Sequence, residues 1–189
     1  MHAISKHVLF LLTFAGLAAA QLPTGGSAFV GYSYSGGQVF ASGSNGSINA
    51  NGWEGSVAGT FLPWLAVAAD LDWHYGSHDF TLCSPAPCTP KVASVSASRH
   101  NVLFGPRASL SMGRYTPFAE LLLGLAHQTD SGGGISNSDT GFASAFGGGV
   151  DYRLLKGVAA RVQIDSIHAS LFGRSQSNIR ISTGIVFHF

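Results

Sequence analysis

The chain has 189 residues, of which 46% are hydrophobic and only 10% charged, and its formal net charge is +1. A charged share well below the roughly 25% of ordinary soluble domains is too small to cover a globule in water. Near-neutral charge excludes the basic patch or stripe that nucleic acid demands.

In chain order, residues 1–20 of MHAISKHVLFLLTFAGLAAAQ come first, and they read as a secretory signal. Lys6 gives the basic start, Val8 to about Ala15 the apolar core, and Ala18 and Ala20 the small residues, with cleavage expected after Ala20. The apolar run is short for a spanning helix. The residue directly after that point is Gln21 and not a cysteine, which argues against a lipid anchor. The remaining domain, 21–189, holds nine Lys plus Arg against nine Asp plus Glu. Its best apolar stretch, FLPWLAVAA at 61–69, is too short for a membrane helix.

Strand-like segments then alternate with connections. Strands are expected at about 27–36, 51–62, 65–78, 99–112, 117–128, 140–153 and 158–168, with a last one ending at Phe189. GQVFASGSNGSIN, the cysteine segment, TDSGGGISNSD and SLFGRSQS read as four longer loops. Pro63, GRYT and LLKG read as three short turns. Cys83 and Cys88 sit in CSPAPC, which in an exported protein is expected to close as a small-loop disulfide. Two thiolates with no second pair do not make a metal site.

Within each strand the two parities differ chemically, which only extended backbone turns into two faces. Leu65, Val67, Ala69, Leu71, Trp73 and Tyr75 oppose Asp70, Asp72 and His74. Val102, Phe104, Ala108 and Leu110 oppose Arg107 and Ser109, and Leu121, Leu123 and Leu125 oppose Glu120 and Gly124. Nearly every mid-strand charge falls on one face, whose other residues are mostly small. A water-facing surface would carry roughly 25–35% charge, whereas small residues suit the interior of a narrow barrel. Aromatics gather near strand ends (Trp53, Phe61, Trp64, Trp73, Tyr75, Tyr115, Phe142, Tyr152, Phe187), as interfacial girdles do. The fold expected is all-β, an eight-stranded antiparallel up-and-down transmembrane β-barrel, polar inside.

The chain ends NIRISTGIVFHF, with Ile179, Ile181, Thr183, Ile185, Phe187 and Phe189 on one parity. With GGGVDYRL at 147–154 and AARVQI at 159–164, it resembles the eight-stranded outer-membrane barrel family typified by the barrel domain of outer membrane protein A. The resemblance implies a bacterial outer-membrane location with both termini periplasmic. It also implies contact with outer-membrane lipid and lipopolysaccharide, and a terminal signal, Ile185, Phe187 and Phe189, read by the barrel-assembly machinery. That family often carries a peptidoglycan-binding domain after the barrel, and nothing here carries over its wall tethering.

The inward charges are Glu54, Asp70, Asp72, Glu120, Asp151 and Asp165 against Arg107, Arg161 and Arg180. Buried charge is costly unless paired, so they are expected to form a salt-bridge network filling the lumen. The resemblance adds the possibility of a gate, with Asp151 and Arg161 as the first pair to inspect. Asp70, Asp72, His74 and His78 lie in a line along one strand rather than converging on a metal. His168 and Ser170 stand two apart on the lipid-facing parity, as a lipid A hydrolase would want, but no Asp or Glu follows Asp165 to orient the base. DSGGGIS at 130–136 lacks the Lys-Ser/Thr ending of a phosphate loop. The reading is a non-enzymatic barrel with a structural or surface-interaction role, a possible surface ligand at its loops, no cofactor and no metal. A narrow gated porin is the alternative, and a lipid A hydrolase a more distant one.

Overall fold

The computed structural model describes residues 23–41, 44–82, 91–132 and 135–189, with side chains at all of these except 37–41, 44–48, 78–82, 91–95, 132 and 135. Eight strands follow one another: β1 (Gly25–Ala41), β2 (Ser44–Leu62), β3 (Leu65–Leu82), β4 (Lys91–Ser109), β5 (Tyr115–Gly132), β6 (Ile135–Leu155), β7 (Val158–Leu171) and β8 (Arg174–His188). Each pairs antiparallel with its chain neighbour, and β1 closes on β8 from Ser27↔His188 to Gly37↔Asn178. The result is a closed barrel, the arrangement that leaves no edge strand unpaired. The leader at 1–20 and the Cys83–Cys88 pair lie outside the described residues.

The strands are longer than their apolar alternation suggests. β1 and β2 extend through much of the stretch read as a loop, and β5 and β6 run through TDSGGGISNSD to Gly132 and from Ile135. SLFGRSQS is a tight hairpin, Phe172–Gly173, with both residues at positive φ (53° and 69°) and the Phe172 N–H donating to the Asp139 carboxylate on β6. The expected contrast of long loops and short turns is therefore a contrast in how far each hairpin projects. About 9–11 residues cross a bilayer as a tilted strand, whereas β6 has 21 and β2 and β4 have 19. Hydrophobic alternation ends where hydrocarbon ends; backbone ladder bonds continue in water without it.

The outer face shows this change of solvent row by row. Gly55, Leu71, Val102, Leu125 and Phe142 lie in register across β2–β6, and one step toward the hairpin tips come Trp53, Trp73, His100, His127 and Thr140. The Trp53–Trp73 and Trp73–Tyr75 rings stack at 6.2 and 6.1 Å, and Tyr115–Tyr152 sit 5.1 Å apart at the turn end. Between these aromatic levels the surface is apolar, with Phe104 62% and Phe146 66% exposed. A continuous belt of that kind is stable against lipid, not water. Inside, an apolar wall of Ala66, Ala68, Leu103, Leu122, Ile167 and Leu171 fills part of the lumen, and charged and neutral polar residues fill most of the rest.

Candidate functional site: a buried charge network in the lumen

Arg180 on β8 stands at the centre, fully buried. Its register partner on β7 is Asp165, to which Nε and Nη2 donate at 3.0 and 2.8 Å. Its Nη1 crosses the lumen to β3, donating to Asp70 Oδ1 at 2.7 Å and Asp72 Oδ2 at 2.6 Å. Glu54 on β2, opposite Asp72 in register, brings Oε2 within 3.3 Å of Nε. One guanidinium thus holds four carboxylates from three strands. A planar fork with donors on every edge is suited to this, and a lysine ammonium is not.

Neutral donors serve several of the remaining carboxylate oxygens, while Asp70 Oδ2 and Asp165 Oδ1 are buried without a hydrogen-bond partner. Asn101 Nδ2 donates to Asp72 Oδ1 at 2.8 Å, and Ser182 Oγ to Glu54 Oε2. His74 Nδ1 lies 3.0 Å from Asp72 Oδ1, with Nε2 2.9 Å from Ser33 Oγ. Gln163 Nε2 reaches Asp165 Oδ2 (2.8 Å), Glu120 Oε1 (2.9 Å) and Glu54 Oε1 (3.3 Å), joining the central cluster to the layer nearer the turns. Toward the hairpin tips Arg99 Nη2 donates to Gln128 Oε1 at 2.6 Å and Gln176 Oε1 at 2.5 Å.

The turn-side layer has two pairs on adjacent strands. Arg107 on β4 faces Glu120 on β5, Nε to Oε2 at 2.6 Å. Arg161 on β7 faces Asp151 on β6 through two bonds, 2.6 and 2.8 Å. Phe118 lies under both guanidiniums, its ring centre 4.8 Å from Arg107 and 4.4 Å from Arg161, and Phe29 covers Arg161 at 5.0 Å. Such cation–π contacts strengthen when water is excluded. Room for the rings comes from glycine: a Cβ at Gly149 would stand 2.9 Å from the Phe118 ring, and one at Gly184 2.9 Å from that of Phe29.

All nine charges singled out from the sequence lie on the inner face, and the structure joins them into these two layers. Ile185, Phe187 and Phe189 lie along the outer side of β8, where Gly26 and Phe189 exchange backbone hydrogen bonds of 2.8 and 3.0 Å. Sequence reasoning gave Phe29, Phe118, Gln163 and Asn101 no place in the network, although the last three share the parity of a named charge on their own strands. Among the described residues no group of three or more His, Cys, Asp or Glu is arranged to hold a metal ion. His168 and Ser170 are exposed on the outer face, where His168 Nε2 meets Ser177 Oγ at 3.3 Å.

A closed eight-stranded antiparallel barrel, apolar outside and charge-packed inside, defines an integral outer-membrane β-barrel protein. The chain belongs to the outer membrane protein beta-barrel domain family, whose model matches residues 7–189. This places it in the bacterial outer membrane. No curated protein matches it. Among solved structures it is similar to the attachment invasion locus protein Ail of Yersinia pestis in complex with the heparin analogue sucrose octasulfate (TM-score 0.59, 15% identity, 87% of this chain and 98% of that one). Neisserial surface protein A (NspA) gives a TM-score of 0.61 at 12% identity over 87% and 97% of the two chains. The outer membrane protein OprG of Pseudomonas aeruginosa gives 0.52 at 10% identity over 89% and 97%. At these identities the likeness is one of fold.

Proposed function

We propose that the protein is a non-catalytic outer-membrane barrel whose lumen is a static plug and whose projecting hairpins make contacts at the cell surface. The observation that carries this is Arg180, fully buried and bonded to acids on β2, β3 and β7, a crosspiece from one wall of the lumen to the other. An eight-stranded barrel is just wide enough for side chains to fill. In this reading the turns and both termini are periplasmic, residues 1–20 are removed on export, and Cys83–Cys88 closes a loop on the outside. Ile185, Phe187 and Phe189 are the strand read by the barrel-assembly machinery, and the belt meets outer-membrane lipid and lipopolysaccharide. A surface role is supported by the fold shared with Ail, which was solved with a ligand bound. Planar-bilayer recording of the purified barrel is expected to stay at the empty-bilayer baseline, and steady conductance steps would overturn the plug.

A narrow gate is the second reading, and one observation favours it. Arg107 and Arg161 share the Phe118 ring while their acids, Glu120 and Asp151, lie on neighbouring strands, so a partner exchange needs only side-chain rotation. It predicts conductance that changes when Arg161 is neutralised.

A further inference from the structure

Above the Trp53–Trp73 level, the outer face of β2–β5 carries a groove of about 510 Å³. Its floor is a register row, Asn51–Tyr75–Ser98–Thr129, and its upper wall the next row, Ser77–Ser96–Ser131. The volume falls within the roughly 300–1,000 Å³ of small-molecule sites, but the lining is unlike most of them. Asn, Ser and Thr side chains alternate there with apolar surface from Gly76, Ala97 and the one aromatic, Tyr75, and among the described residues the lining holds no charged group.

That lining selects a ligand class by elimination. An acyl chain would strip water from these hydroxyls and amides and give them no hydrogen bond in return. A phosphate or sulfate would find no cation among the described lining residues, the group that makes anion contacts strong. An uncharged saccharide fits both features, with hydroxyls for the Ser, Thr and Asn rows and a carbon face to lie on the Tyr75 ring. Asn51 is already oriented, because Tyr32 Oη donates to its Oδ1 at 2.5 Å. The strands hold these groups in ladder register, so little ordering is needed on binding.

We propose that this groove binds an uncharged oligosaccharide presented from the medium, rather than an anionic glycan or the lipid beside it. The inference deepens the surface-contact reading and rests on the hairpin end facing outward. The heparin analogue found on Ail is a polyanion, so the two chains would then share a fold while differing in ligand charge.

The test uses the full barrel folded in nanodiscs, applied to an array of uncharged and sulfated glycans and then titrated with the strongest uncharged binder. Saturable binding that weakens at least tenfold in Tyr75→Ala and in Asn51→Ala is expected, with Ser144→Ala on the outer face of β6 as an unaffected control. No uncharged binder, binding confined to sulfated glycans, or binding indifferent to both substitutions overturns the proposal, provided the protein shows its heat-dependent gel shift. In parallel, Ser131→Cys on intact cells should react with an impermeant maleimide above the level of the unsubstituted chain. Labelled cells without saccharide binding remove this inference alone; unlabelled cells remove the outward orientation beneath it.

Discussion

Arg161 and Asp151 meet in register on β7 and β6, joined by two hydrogen bonds, with Phe118 against one face of the guanidinium. The pair is nearly sealed from solvent. Its geometry is that of a fixed strut, since exchanging partners means breaking both of its hydrogen bonds at once.

Replacing Arg161 by Gln therefore separates the two readings of the lumen. Stranding a buried carboxylate costs about 3–5 kcal/mol, so the urea midpoint of the folded barrel should fall by an amount of that order. Bilayer conductance should stay at baseline. A variant of unchanged stability that opens a current would establish the gate instead.

Arg180→Met should be more damaging than Arg161→Gln, because four carboxylates lose the cation they share. Arg180→Lys is expected to recover only part of the loss, since an ammonium cannot serve β2, β3 and β7 together. Urea titration of the three proteins side by side gives the ranking, and a lysine variant equal to the parent would contradict the crosspiece.

Gly149 is a packing requirement of two kinds. A Cβ there would stand 2.9 Å from Phe118 and 2.3 Å from the Val162 carbonyl oxygen. Gly149→Ala should cost about 1–3 kcal/mol. Adding Phe118→Leu should fail to restore stability, because the carbonyl contact remains and Arg161 loses its ring. Recovery in the double variant would show the ring to be the sole obstacle.

Phe189 is largely exposed, its backbone bonded to Gly26 and its ring lying over that glycine, where a Cβ would stand 2.5 Å from it. Phe189→Ser keeps those bonds, so the purified, refolded barrel should resist urea much as before. If the terminal strand is the assembly signal, the yield in the outer membrane of living cells should drop several-fold. Unaltered yield would leave Phe189 without that role.

Ser170→Ala should change neither stability nor membrane lipid. Mass spectra of lipid A from cells with the parent, the variant and no protein are expected to coincide. Loss of an acyl chain only with the parent would instead make His168 and Ser170 a reacting pair.

Period-two alternation carried much of the architecture, because lipid and lumen impose opposite demands on neighbouring side chains. Val67, Ala69 and Leu71 against Asp70 and Asp72 needed nothing beyond parity. The partner of each charge was not readable in that way. Asp70 meets Arg180 across the lumen, a relation set by closure and shear rather than by either strand's sequence. Phe29 and Phe118 escaped notice because an inward aromatic breaks the polar-inside pattern, and only the glycines beside them hint that a ring needs space. Strand lengths were underestimated wherever the outer face turned from Trp73 to Ser77 and the lipid signal stopped.

That surplus strand has a mechanical meaning. In β6, roughly ten residues beyond those needed to cross the membrane, at about 3.3 Å each and tilted near 45°, lift the hairpin tip some 20–25 Å above the bilayer surface. Flexible loops of equal length would reach as far but would collapse, wander and lose entropy on every encounter. Hydrogen-bonded to their neighbours, these hairpins form a stiff collar, and whatever touches the rim is held at a set stand-off from the lipid.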